Sequence, residues 1–168
     1  MTSTTVVLYE YKTENIGDEI QSVAARRFLP RVDDYVDRDH IGDYKTDTPT
    51  KMIMNGWYMH KPENWPPRAD KLDPLLISMY IEKRHPSVNR AFLSHESRRF
   101  LTEMGPVGAR DQTTLEYLQQ NKIPTYFSGC VTLTLQRDKS LPRQDYILLV
   151  DVSKKIENYV RKNTKRPV

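Results

Sequence analysis

Four short stretches hold the side chains best suited to chemistry. In Gly108-Ala109-Arg110-Asp111, Arg110 brings a permanent positive charge to a helix start, and its planar fork suits a carboxylate or phosphate. Asp111 is a natural N-cap for that helix, and an ion pair between Arg110 and an acid elsewhere is the competing reading. Asn55-Gly56-Trp57-Tyr58-Met59-His60 combines an amide, flat rings on which a sugar or nucleobase can stack, and an imidazole that exchanges protons near neutral pH. An aromatic cluster with a hydrogen-bonded histidine fits the same residues. Asn15-Ile16-Gly17-Asp18 puts a glycine at another helix start, where backbone amides face an anion or a hydroxyl-rich acceptor. An N-capped helix after a glycine turn fits it equally. Ser128-Gly129-Cys130 could be mistaken for a nucleophile turn, but it lacks the G-x-S-x-G signature, and a single cysteine is more often packing.

Other chemistries find no pattern. There is no G-x-G-x-x-G and no G-K-[ST], so neither a dinucleotide fingerprint nor a phosphate P-loop is present. His40, His85 and His95 show no ligand-like spacing with one another or with acids, so no metal site is expected. Cys130 is the single cysteine of the chain, which leaves no intramolecular disulfide and fits a reducing compartment.

These stretches must be positioned by elements, and the pattern alternates strand and helix. Thr5–Tyr9 reads as a short β-branched strand. A helix follows from about 19 to 28, with Ile20, Val23, Ala24 and Phe28 on one face, Asp18 as its N-cap and Pro30 beyond its end. Val32–Val36 suggests a second strand and 37–50 a loop. Lys51–Gly56 is a third strand running into a tight turn at Gly56. An irregular, Pro-rich stretch with both tryptophans spans 57–74. Leu75–Ile81 is continuously apolar, as in a sheet covered on both faces. Asn89–Leu101 reads as one helix, Pro106–Ala109 as a strand, Gln112–Asn121 as a helix and Ile123–Phe127 as a strand. Ser128–Gly129 is a turn, and Val131–Leu135 starts another element. Asp145–Val152 has the strongest strand pattern of all, followed by a helical pattern over Ser153–Lys162. The expected class is therefore α/β: a Rossmann-like open parallel sheet with flanking helices.

At 168 residues the default is one domain. The expected organisation is an N-terminal α/β lobe over 1–144. A terminal strand and helix over 145–168 would complete that sheet or open a second lobe. With 38% hydrophobic and 29% charged residues the chain can build a core and fold. Its net charge of +4 is mild and partly terminal, at Lys154, Lys155, Arg161, Lys162, Lys165 and Arg166, where a solvated helix with a frayed end is expected and contact with nucleic acid or an anionic surface is the alternative. Upstream the charges interleave, which argues against a nucleic-acid stripe. No apolar run approaches the roughly 18 residues of a membrane span, and the N-terminus lacks the layout of a signal peptide. A cytoplasmic protein without a transmembrane segment is the expectation.

The order and spacing of Asn15-Ile16-Gly17-Asp18-Glu19-Ile20, Asn55-Gly56-Trp57, Gly108-Ala109-Arg110-Asp111-x-x-Thr114-x-x-x-Leu118 and Ser128-Gly129-Cys130-Val131-Thr132-Leu133 resembles the polysaccharide pyruvyl transferase family over roughly residues 5–152. The resemblance implies one lobe of a GT-B type transferase. It implies transfer of the enolpyruvyl group of phosphoenolpyruvate onto a sugar hydroxyl as a ketal, in cell-surface polysaccharide biosynthesis. Phosphoenolpyruvate and a sugar or glycan acceptor are the implied partners, with no metal or organic cofactor. On this resemblance Arg110 contacts the donor's phosphate or carboxylate, and His60 stands where some members have a cleft-facing histidine. Asn15, Gly17 and Asp18 would shape the cleft floor, with Asn55, Gly56, Trp57 and Gly129 as further binding positions. Family members are about twice this length, and their second lobe carries the expected general acid. A missing second lobe or a homo-oligomer is therefore anticipated. A non-catalytic half-lobe that binds a sugar or nucleotide and a nucleotide-sugar glycosyltransferase are the alternatives.

Overall fold

The computed structural model describes residues 4–8, 15–150 and 152–168. They fall into two compact units, Met1–Leu135 and Gln136–Val168.

In the first unit β1 (Thr4–Leu8), β2 (Asp34–Val36), β3 (Thr50–Met54) and β4 (Leu72–Leu76) build one sheet. The strand order is β2-β1-β3-β4, and every pairing is parallel. The β-branched and apolar runs supply these strands, and their register sets Val6 opposite Met52 and Met54 opposite Leu76. Past β4 the chain turns at Ser78, whose φ is +54°. Met79 then bridges Ala109, donating to the Gly108 carbonyl at 2.9 Å while Arg110 donates to the Met79 carbonyl at 2.8 Å. Ala109 belongs to β5 (Val107–Ala109), which pairs in parallel with β6 (Thr125–Phe127). The class is mixed α/β with small parallel sheets.

The helices are α1 (Ile16–Arg26), α2 (Pro86–Phe92), α3 (His95–Glu103) and α4 (Gln112–Gln120). The predicted single helix over 89–101 is two, because Ser94 ends one and caps the next, its Oγ accepting from Ser97 N at 3.2 Å. The predicted strand 75–81 begins at Leu72 and includes Pro74. A proline lacks the ladder donor, and β4 tolerates it at the end of its four-stranded ladder. Asp73 and Leu75 are exposed between buried Leu72, Pro74 and Leu76, so this strand is not covered on both faces as expected.

The core gathers Met52, Met54, Leu76, Phe92, Leu101, Val107 and Leu118. The Pro-rich stretch folds onto it: Trp65 stacks on Phe92 with centroids 4.6 Å apart and meets Phe100 edge-on at 5.6 Å. Burying rings of this size contributes about 1.5–3 kcal/mol each. The stretch read as loop, 37–50, opens with a 3-10 turn over Arg38–Asp43. That turn lies so close to residue 64 that a Cβ on Gly42 would collide with the Asn64 carbonyl.

The second unit holds α5 (Lys154–Asn163), capped by Ser153. The strand expected over 145–152 does not form: residues 145–150 and Val152 have no sheet partner, and Asp151 lies outside the described residues. An apolar run becomes a strand only where another strand accepts its hydrogen bonds. Here Ile147 N donates instead to the Pro167 carbonyl at 2.8 Å. The last residue of the expected first strand, Tyr9, also lies outside the described residues.

Candidate functional site

β1 lies between β2 and β3, so the connections after β1 and β3 leave in different directions. In a parallel sheet such a divergence opens a crevice at the carboxyl ends of the strands. The end of β3 leads into Asn55, Gly56, Trp57 and His60, and the end of β5 into Arg110 and Asp111. Residues 9–14, which follow β1, are outside the described set.

Arg110 sits over the Tyr80 ring, its Cζ 4.5 Å from the centroid, a cation–π arrangement. Among the described residues no carboxylate pairs with it. Tyr80 meets Trp57 edge-on at 6.2 Å, and Trp57 lies 4.8 Å from His60, ring centre to ring centre. A continuous run of rings therefore joins Arg110 to His60. Beside it is a cleft of about 280 Å³ lined by Trp57, Met59, His60, Glu82, His85 and Val88, among others.

The helix start after Arg110 is locked. Asp111 accepts from Thr114 N at 2.9 Å and from Thr114 Oγ1 at 3.2 Å, while Thr114 Oγ1 itself accepts from Ile81 N at 3.1 Å. Asp111 spends its carboxylate on capping α4 and tying it to the segment that carries Tyr80.

His60 is half-exposed. Its Nδ1 lies 3.4 Å from Arg38 Nη2 and 3.5 Å from Asp39 Oδ2. Arg38 is buried and donates from Nη1 to Asp18 Oδ1 at 2.9 Å. Asp18 is not the N-cap of α1, contrary to the sequence expectation. Asn15 caps α1, its Oδ1 accepting from Gly17 N at 3.0 Å, and Asp18 lies inside the first turn with its carboxylate neutralised by Arg38. Through Arg38, the first-loop stretch and His60 belong to one network.

Asn55 faces α1 rather than the rings. It is buried, its Nδ2 donates to the Gln21 carbonyl at 2.9 Å, and its Oδ1 has no partner among the described residues. Gly56 has φ +152°, and a Cβ there would lie 3.0 Å from Gln21 Oε1. Tyr58, offered as a stacking face, is 2% exposed and packs against Trp65. Burial pushes its phenol well above the usual range, opposed by the Arg38 guanidinium. Gly129, with φ +68°, follows β6 in a turn where Ser128 Oγ accepts from Ser78 N at 3.1 Å and Val131 N donates to Ser78 Oγ at 2.8 Å. Those bonds make Ser128 a stitch between loops. Cys130 Sγ lies 2.9 Å from Thr132 Oγ1.

Sequence reasoning missed Tyr80, Arg38 and Glu82. Tyr80 lay inside an apolar run and read as core. Arg38 lay in a loop, although Asp37-Arg38-Asp39-His40 at a strand end was a usable signal. Tyr80 Oη donates to Glu82 Oε2 at 2.9 Å, and Glu82 also holds Arg84 at 2.9 and 2.8 Å. The Arg84 hydrogen bonds draw the Glu82 carboxyl down to about 2. The Tyr80 phenol is raised, first by burial and then by its bond to Glu82. Among the described residues no three His, Cys, Asp or Glu side chains converge as metal ligands would. No helix among them is long and apolar enough to cross a membrane. No family model, no curated protein and no solved structure matches the chain significantly.

Proposed function

We propose that this chain carries the donor-binding α/β lobe of a polysaccharide pyruvyl transferase-like enzyme, Rossmann-like in topology and of the GT-B type. Its donor is phosphoenolpyruvate and its acceptor a sugar diol of a cell-surface glycan. The observation that carries the reading is Arg110, a guanidinium held over Tyr80 at a strand's carboxyl end with no acid partner among the described residues. A cation in that state favours an anionic ligand, and a planar fork favours carboxylate or phosphate oxygens.

The chemistry asks for cations around the donor and for a proton. A general acid protonates the methylene carbon, and C2 gains oxocarbenium character. A sugar hydroxyl adds there and gives up its proton, phosphate leaves with the C–O electron pair, and a second hydroxyl closes the ketal. The products are the ketal and inorganic phosphate. Arg110 stabilises charge on the donor in this scheme. His60, half-exposed beside Trp57 and backed by Arg38 and Asp39, is the residue assigned to move a proton. Trp57 supplies a ring face near the cleft for a sugar.

Ligand protection tests the donor. Saturating phosphoenolpyruvate, at about 100 times its Kd, should stabilise the protein by about 2.7 kcal/mol in a thermal shift. A nucleotide-sugar should give no comparable shift. Protection by the nucleotide-sugar without protection by phosphoenolpyruvate makes pyruvyl transfer the wrong chemistry.

A further inference from the structure

The charge surplus of the chain is not shared between its two units. The unit Gln136–Val168 carries nine Lys and Arg against four Asp and Glu, a net of +5, and the rest of the chain carries 17 against 18, a net of −1. The same short unit exposes Leu141, Tyr146, Leu148, Val150, Ile156 and Tyr159, each at least half open to solvent. Apolar exposure on that scale beside a cationic surplus calls for an occupant.

Helix α5 arranges these features in order. Ile156, Tyr159, Val160 and Asn163 share one face at helical spacing. Lys155 and Lys162, seven residues apart, run along one border of that stripe beside Tyr159. The helix's other cations are spent: Lys154 and Arg161 both pair with Glu157, at 2.8 and 2.9 Å. Lys155 and Lys162 have no ion pair among the described residues. The two lysines left unpaired are thus the two that flank the exposed apolar stripe.

We propose that α5 is an interfacial helix that docks the chain on an anionic phospholipid surface. Ile156 and Tyr159 enter the headgroup–acyl boundary while Lys155 and Lys162 reach lipid phosphates. A short helix with an apolar stripe, a charged opposite face and flanking lysines is built for that plane. Tyr159 suits the boundary, where an aromatic ring keeps its hydroxyl wet. Charge complementarity selects the anionic surface, since juxtamembrane cations are attracted to acidic lipids. Nucleic acid shares the phosphate but gives exposed Ile156, Leu148 and Val150 nothing to enter, so the bilayer is favoured.

Co-sedimentation of the full chain with vesicles tests the proposal. The chain should pellet with phosphatidylcholine vesicles containing about a third phosphatidylserine, and much less with phosphatidylcholine alone, and added salt should release it. Replacing Lys155→Gln together with Lys162→Gln should weaken partitioning roughly 25-fold, about fivefold per cation. Ile156→Ser with Tyr159→Ser should also weaken it, while circular dichroism stays unchanged. Arg68→Gln with Arg99→Gln removes the same charge from exposed positions elsewhere and should change little. Absence of binding to the anionic vesicles overturns the proposal, as does equal binding to neutral ones. An equal loss in the Arg68/Arg99 pair, or displacement from vesicles by a single-stranded RNA homopolymer with the same lysine dependence, overturns it too.

Discussion

Replacing Arg38 by methionine is the sharpest stability test of the network behind His60. The Arg38 and Asp18 side chains are 5% and 6% exposed and 2.9 Å apart. Removing the guanidinium takes from the buried Asp18 carboxylate the cation it pairs with at 2.9 Å. Breaking a buried pair from one side costs about 3–5 kcal/mol, because the remaining charge keeps its desolvation penalty. The α1 N-terminus returns some of this, since Asp18 lies in its first turn and the dipole there favours an anion by about 0.3–1 kcal/mol. A net loss of about 2–4 kcal/mol is expected, against about 5–15 kcal/mol for an ordinary domain. With a urea m-value of about 1–3 kcal/mol/M, the unfolding midpoint should fall by about 1 M or more. Adding Asp18→Leu removes the buried carboxylate that Arg38 faced and should recover a large part of the loss. A single-variant cost below about 1 kcal/mol, typical of a surface pair, would refute the buried network. So would a double variant that is no better than the single.

Gly42→Ala should destabilise by about 1–3 kcal/mol through overpacking, because the new methyl meets the Asn64 carbonyl; chemical denaturation would read it. The carboxyl carbon of Glu82 should titrate near 2, and Arg84→Ala should return it toward the ordinary 4.5, since Arg84 supplies the largest part of the depression. Its folded value is lowered, so its contribution to stability is present above 4.5 and is lost as pH falls through about 2. A midpoint near 4.5 in the unaltered protein would show that the Glu82–Arg84 contact does not persist in solution.

Legibility along the chain followed how local each signal is. β3, β5, β6 and α4 were readable because an apolar run or the Asp111 cap lies within the element itself. The start of α1 was misplaced because Asn15 and Asp18 are both good caps, and what separates them is Arg38, twenty residues away in the 3-10 turn. The break between α2 and α3 at Ser94 looked like one more polar position in a helical pattern. Asp145–Val152 had every property of a strand except a neighbour, and a neighbour is not written in a run of apolar residues. Arg110 was legible as an anion-facing candidate from its place before a cap. That it rests on Tyr80 depends on the turn at Ser78 and the Met79–Ala109 bridge, which no spacing discloses. Asn55 was legible as polar at a strand end, but its tie to Gln21 needed α1 packed beside it.

The central claim is that Arg110 holds the anionic donor, and the most direct measurement is calorimetric titration of phosphoenolpyruvate into the protein and its Arg110 variants. Arg110→Ala should weaken binding by about 1.5–3 kcal/mol, the worth of a charged hydrogen bond, or roughly 10- to 150-fold. Arg110→Lys should restore only part, since an ammonium keeps the charge and loses the fork. Equal affinity in all three proteins would contradict the account.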